Sequence, residues 1–106
     1  MGLAATLHEG VSVVKMPGTR LDASCADAFK TDLKDIIDQG HSRIVLDFSD
    51  VQFMDSSGLG AVVGCLKYMG SAGTIEIARP SPTIMKILKL TRMNKVFTIR
   101  DMPPAA

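Results

Sequence analysis

The sequence has 106 residues, of which 46% are hydrophobic and 22% are charged, and its formal net charge is +1. These values are typical of one soluble globular domain and exclude long disordered, collagenous and acidic low-complexity chains. Twelve basic residues are balanced by eleven acidic ones, so the composition does not favour electrostatic binding of nucleic acid.

The amino-terminal segment and the cysteines predict a cytoplasmic protein. The first ten residues include His8 and Glu9 and contain no long apolar run, so no secretory signal is predicted. No apolar stretch approaches the roughly 20 residues that cross a bilayer, and no membrane insertion is expected. Cys25 and Cys65 are far apart and form no Cys-x-x-Cys motif, which predicts two reduced core thiols and no metal site.

The amino-terminal part is predicted to form a β-hairpin. The β-branched run at residues 11–14 is typical of a strand. Residues 3–8 can pair with it through a turn at Glu9-Gly10. Pro17-Gly18 is predicted to end the second strand, because proline has no N–H group to donate to a neighbouring strand.

A helix is predicted next. Ser24 can cap its first turn, with Asp27 three residues later as a weak capping box, and Gly40 suits its end. Charged side chains occupy the side opposite its apolar stripe. The stripe recurs at helical spacing and consists of Ala26, Phe29, Leu33, Ile36 and Ile37.

Further strands then alternate with further helices. The continuous apolar run at residues 43–48 favours a central, buried strand. A second helix opens at Asp55, alternation at residues 74–78 indicates a strand, and Ser81-Pro82 begins another helix. Residues 96–99 are predicted to form a short final strand.

The order of these elements predicts the fold class. Strands that are separated by helices pair in parallel through right-handed crossovers. We therefore expect an α/β single domain over residues 1–100, with a four- or five-stranded, mostly parallel sheet and three to four helices. Residues 101–106 are predicted to form a short tail, because two prolines prevent regular hydrogen bonding there.

Patterns for enzyme chemistry are weak. His8 and His41 are the two histidines of the sequence, they have no companion ligands at metal-binding spacing, and no G-x-S-x-G motif is present. The spacing Gly58-x-Gly60-x-x-x-Gly64 is one residue too long for G-x-G-x-x-G, and no Walker lysine follows. We therefore favour close helix packing at these glycines over a nucleotide site. No catalytic residue, metal or cofactor is predicted.

The most informative stretch is Asp55-Ser56-Ser57-Gly58, which opens the second helix. A helix cap explains one polar residue, but three in a row followed by glycine indicate an exposed, mobile tip. A serine hydroxyl there is a natural phosphate acceptor. A phosphate adds about −1.5 to −2 charges, which the free amides and the dipole of a helix start tolerate. We expect modification to preserve the fold and to disrupt a partner's contact.

Residues 44–60, which read IVLDFSDVQFMDSSGLG, resemble the central signature of STAS domains. The resemblance extends to the bacterial anti-sigma factor antagonists and covers nearly the whole chain. Leu21-Asp22 before the first predicted helix matches the Leu-Asp pair of this family, and Gly73 also fits. The resemblance implies a STAS-like α/β fold.

The resemblance also implies a partner switch without enzymatic activity. In this family the unphosphorylated antagonist binds an anti-sigma factor, a serine kinase of the histidine-kinase-like ATPase type, and so frees the sigma factor. The kinase uses ATP to phosphorylate the antagonist, which then dissociates, and a PP2C-type serine phosphatase restores binding. The phosphate acceptor of the family maps to Ser56, with Ser57 as the alternate.

The family likewise implies a partner surface near the acceptor. The sequence departs from the family pattern in the loop that forms this surface. Gly18 stands one position earlier than in the Gly-x-Leu-Asp pattern, so Arg20 enters the partner-facing loop. Arg20 is either a solvated side chain or a determinant of partner choice. The predicted partner-binding residues are Arg20, Asp22, Asp55, Ser57, Gly58 and Leu59.

Two other functions remain open at this point. The chain is alternatively a constitutive STAS subunit of a transport or stress-signalling complex, which needs no switching phosphate. A nucleotide-binding protein is the weaker alternative, since the glycine spacing alone suggests it.

Overall fold

The predicted amino-terminal hairpin is present in the computed structural model, which describes residues 3–16 and 18–101. Strands β1 (Ala5–His8) and β2 (Val11–Lys15) pair antiparallel. Glu9 and Gly10 connect them with positive φ angles of 51° and 83°. Two consecutive residues with positive φ make a tight turn whose twist matches that of the paired strands. Pro17, the predicted stop, and the predicted tail from residue 102 onward lie outside the described residues.

The later helices and strands follow the predicted order, and two short strands are added to it. No helix within the described residues is both long and apolar enough to span a bilayer. In chain order the elements after the hairpin are β3 (Arg20–Leu21), α1 (Ala26–Asp38), β4 (Arg43–Asp47), β5 (Phe53–Met54), α2 (Ser56–Met69), β6 (Thr74–Ala78), α3 (Pro82–Leu90) and β7 (Thr98–Arg100).

The main sheet has five strands in the order β1-β2-β4-β6-β7, and every neighbouring pair is parallel except β1 and β2. From β2 onward each new strand is added on the same side of the last. Right-handed crossovers then place the connecting helices on one face of the sheet. The predicted α/β class is therefore confirmed, with three helices and a mostly parallel sheet. The core on that face joins strands and helices through buried residues such as Val14, Leu46, Ile77, Leu33, Val62 and Leu88.

Strand β4 is buried as the continuous apolar run predicts. Ile44, Val45 and Leu46 have no exposed surface, and β2 and β6 flank this strand on both sides. Ile44 and Leu46 belong to the main core, and Val45 faces the other side of the sheet in a smaller apolar cluster. Burying one such side chain stabilises a fold by about 1.5–3 kcal/mol, so the centre of the sheet is its most strongly stabilised part.

Strands β6 and β7 differ in detail from the prediction. Strand β6 does not alternate, because Glu76 is buried where an exposed residue is expected, and its carboxylate accepts hydrogen bonds from Arg43, at 2.7 Å, and from Arg100. Strand β7 begins at residue 98 and not at 96. Residues 93–95 form a 3₁₀ turn, and the Phe97 amide still donates to the Met93 carbonyl at 2.9 Å, which delays the strand.

The predicted cap of α1 is wrong. Ser24 does not cap the helix, because both its amide and its hydroxyl donate to the Asp22 carboxylate. Cys25 occupies the N-cap position and makes no side-chain cap bond. Cys25 is also half-buried at the margin of the core, whereas Cys65 is fully buried as predicted.

Candidate functional site

The site is built on a short parallel pair of strands that lies outside the main sheet. Strand β3 pairs with β5, so that Leu21 lies opposite Met54. The Gln52 amide donates to the Thr19 carbonyl at 2.7 Å, and the Asp55 amide donates to the Leu21 carbonyl at 3.3 Å. This pairing brings the loop before α1 next to the start of α2, although the two segments are over thirty residues apart in sequence.

Asp55 links these two segments through both oxygens of its side chain. As the N-cap of α2 it has an extended backbone, and Oδ1 accepts a hydrogen bond from the Gly58 amide at 2.9 Å. Oδ2 accepts from the Ala23 amide at 3.1 Å. A helix cap of this kind contributes about 0.5–2 kcal/mol, and the second bond also fixes the position of the loop.

Gly58 allows α2 to approach β3 closely. A Cβ atom at this position would lie 2.0 Å from the Leu21 carbonyl oxygen, a separation that no side chain tolerates. At Gly60 an added Cβ would meet nothing within 4 Å. Close packing therefore explains why position 58 is a glycine but does not explain the glycine at position 60. Because Gly58 is buried, its place in a partner contact stays a prediction.

Asp22 is held as a charged group in the loop before α1. Oδ1 accepts from the Ser24 amide at 3.0 Å, and Oδ2 accepts from Nε of Arg20 at 2.9 Å. The hydrogen bond from the Ser24 hydroxyl and then the one from Arg20 hold the pKa of Asp22 below its ordinary value. Asp22 is thus a fixed negative charge close to the start of α2.

Arg20 lies on the surface beside an aromatic ring that the sequence did not single out. Its guanidinium carbon is 4.4 Å from the centroid of the Phe53 ring, which is within the range of a cation–π contact. The Arg20 side chain is 62% exposed and Phe53 is 41% exposed. Arg20 is therefore positioned by Phe53 on one side and by Asp22 on the other, and its part in partner choice stays a prediction.

Ser56 and Ser57 are exposed on the first turn of α2. Within the described part of the chain, neither hydroxyl forms a hydrogen bond that the fold depends on. The first amides of a helix have no partner within it, so negative charge is favoured at this end. Leu59 is half-buried against the core. The structure thus brings Asp22, Asp55 and the two serines to one surface, with Arg20 at its edge.

A serine and a histidine also meet elsewhere in the described part of the chain. Oγ of Ser12 lies 2.5 Å from Nδ1 of His41, but Ser12 is 1% exposed and the pair lies at the amino end of β4, away from Ser56. Among residues 3–16 and 18–101, no group of three metal-ligating side chains is found.

Comparisons with known proteins identify the family of this chain. The sequence model of the STAS domain family matches residues 3–105. A Thermotoga maritima protein provisionally named an anti-sigma factor antagonist is 32% identical over 84% of this chain and 80% of its own length. An anti-sigma F factor antagonist of Paenibacillus polymyxa is 30% identical over 89% of this chain and 81% of its own.

A solved structure of a related protein has the same fold as this chain. The crystal structure of a Thermotoga maritima protein with the same provisional name superimposes with a TM-score of 0.86 at 28% identity. The superposition covers 94% of this chain and 86% of the other. On its sequence, its fold and its relatives, this chain belongs to the STAS domain family.

Proposed function

We propose that this protein is an anti-sigma factor antagonist whose binding is switched off by phosphorylation of Ser56. The general role is supported by the relatives of that name, which match over at least four-fifths of their length. The observation that carries the switch is the exposure of Ser56 on the first turn of α2, next to two carboxylates. Under this proposal the protein acts in the cytoplasm, where transcription takes place.

The contacts that hold the α2 start in place come from the neighbours of Ser56. Asp55 caps the helix and Gly58 packs against Leu21, while the Ser56 side chain points to solvent. A phosphate on Ser56 would be stabilised by about 0.3–1 kcal/mol at the positive end of the helix dipole. It would also be repelled by the negative charges of Asp22 and Asp55. These effects oppose each other, so we expect a small change in the free energy of unfolding.

The effect on a partner is expected to be much larger. A partner that covers Ser56 must remove the added phosphate from water and place it beside its own surface. Each tenfold loss of affinity requires about 1.4 kcal/mol, which desolvation of one dianion readily exceeds. Asp22, Asp55, Ser57 and Leu59 are the residues that we propose to surround this contact.

In the proposed switch this chain is the substrate and supplies no catalytic group. The partner is a serine kinase of the histidine-kinase-like ATPase type, which binds ATP and Mg²⁺ and positions the Ser56 hydroxyl for transfer. A PP2C-type phosphatase would remove the phosphate. The chain needs no cofactor for this role.

The experiment is phosphorylation by the serine kinase encoded nearest to this gene, followed by mass-spectrometric site mapping. We expect one phosphate on the wild type and on Ser57→Ala, and none on Ser56→Ala. Modification of Ser56→Ala at the wild-type rate would refute the acceptor assignment.

A binding measurement then separates the switch from a constitutive role. Ser56→Asp should weaken the kinase complex at least tenfold and shift the thermal unfolding transition by less than about 4–8 °C, which corresponds to 1 kcal/mol in a domain of this size. If phosphorylated and unmodified protein bind equally well, the chain is a constitutive STAS subunit.

A further inference from the structure

A second stripe of side chains lies on the outer side of α3. Ile84 and Leu88 face the core. On the outer side of the helix, residues spaced three or four positions from one another line a surface groove of about 370 Å³. Residues with this spacing share one face of a helix. The groove is lined by Pro82, Met85, Lys86, Lys89 and Leu90.

The atoms that line the groove are mostly apolar. Leu90 is 74% exposed, which is more than any other large hydrophobic side chain among the described residues. Met85 lies five positions earlier, at the other margin of the groove, and is half-buried against the core. A single exposed leucine is ordinary. An apolar groove is one of the surfaces into which an amphipathic helix lays its apolar face.

The surroundings of the groove are strongly basic. From residue 77 to residue 100 the sequence has six basic residues and no acidic one, although the whole chain is nearly neutral. Lys86, Lys89, Arg92 and Lys95 are all exposed, and none of them forms an ion pair with another described residue. The apolar groove is therefore flanked by cations that no charge within the described part of the chain offsets.

We propose that this face of α3 is a docking site for an acidic amphipathic helix of a partner protein. Leucine-like side chains of that helix would enter the groove against Met85 and Leu90, and its carboxylates would pair with Lys86 and Lys89. The charge complementarity commits the partner to net negative charge, and the concave shape favours inserted side chains over a flat lipid surface.

The proposed docking site is separate from the phosphorylation site. None of its lining residues belongs to the surface around Ser56, and its occupation does not require the hydroxyl of that residue to be free. Helix α3 does pack against β5, which leads into Asp55, so one partner could cover both surfaces. The test of the docking site can therefore succeed or fail independently of the proposed phosphorylation.

The test is an NMR titration of the ¹⁵N-labelled full chain with two synthetic peptides. Both have about 15 residues, near the shortest length at which isolated helices form in water, with leucines at helical spacing and either glutamates or lysines at the other positions. We expect amide shifts confined to residues 82–95 with the acidic peptide only, and weaker binding at high salt, where charges are screened. Equal shifts with both peptides, or shifts scattered over the chain, would overturn the proposal.

Variants with matched controls sharpen the result. Lys86→Glu/Lys89→Glu should weaken binding of the acidic peptide at least tenfold, whereas Lys67→Glu, at an exposed lysine on α2, should not. Leu90→Ser should also weaken it, and Leu7→Ser, at a leucine that is 62% exposed on β1, should have no effect. Should the double variant unfold, Leu90→Ser carries the test alone.

A membrane is the competing partner and has its own outcome. Vesicles of phosphatidylglycerol are sedimented with the wild type and with Leu90→Ser. Co-sedimentation of the wild type that Leu90→Ser abolishes, together with no α3 shift from the acidic peptide, would show a lipid surface and overturn the proposal of a protein helix.

Discussion

The close approach of α2 to β3 makes a sharp prediction for Gly58→Ala. The new Cβ would lie 2.0 Å from the Leu21 carbonyl oxygen, so the two backbones must separate by about 1 Å to reach the shortest separation that real Cβ atoms show. A backbone atom cannot swing aside as a side chain can. Overpacking of this kind costs about 3 kcal/mol at the upper end of its usual range. Alanine recovers up to about 1 kcal/mol through its better helix propensity.

The net loss is then about 2 kcal/mol, which lowers the melting temperature by about 8–16 °C in a domain of this size. Gly60→Ala is the matched control, because its Cβ meets nothing within 4 Å on the same helix. It should raise the melting temperature by about 2–8 °C through helix propensity alone. Thermal unfolding followed by circular dichroism measures both. If Gly58→Ala melts at or above the wild-type temperature, α2 does not contact the Leu21 backbone as described.

Three further predictions concern groups with defined partners. Asp55→Ala should lower the free energy of unfolding by about 1–2 kcal/mol in urea titrations, because the Gly58 and Ala23 amides lose their acceptor, and Asp55→Asn should recover part of that loss. Hydrogen bonds from Arg43 lower the pKa of Glu76 and burial raises it, and the net result is a pKa below the ordinary value of 4.5. Its stabilisation is therefore complete above pH 4.5 and is lost as the pH falls through the lower folded-state value. Glu76→Gln should consequently make the melting temperature fall less steeply as the pH is lowered. An unchanged pH dependence would contradict the ion pairs of Glu76 with Arg43 and Arg100. Burial raises the pKa of Cys65 to about 11, so an alkylating reagent at pH 8 should label Cys25 first and Cys65 only in denaturant, and the reverse order would place Cys65 outside the core.

The parts of the fold that were predictable have signals that lie close together in sequence. The turn at Glu9-Gly10, the proline at the first position of α3 and the apolar stripes of the helices each depend on residues within one or two turns of chain. The failed cap shows the limit of such signals. Ser24 is a good capping residue by type, but its amide and hydroxyl both donate to the Asp22 carboxylate, which Arg20 also holds in the loop.

The strand pair that positions the site could not be predicted in this way. Two residues carry no periodicity, so neither β3 nor β5 has a pattern of its own. Their pairing depends on main-chain hydrogen bonds between distant segments, such as the one from Gln52 to Thr19. The same pairing places Phe53 against Arg20, and nothing in the residues adjacent to Phe53 indicates that contact. The family resemblance selects Asp22, Asp55 and the serines and implies that they share a surface. The hydrogen bonds of Asp55 that build this surface follow only from the fold.

The first turn of α2 separates the contacts that fold the domain from those available to a partner. Asp55 and Gly58 are three positions apart and face inward, where they fix the helix to β3 and the loop before α1. Ser56 and Ser57 lie between them and face solvent. Helical geometry makes this division sharp, because residues one and two positions apart point in different directions. A charge added at Ser56 can thus change what binds the surface while the bonds that hold that surface in place stay intact.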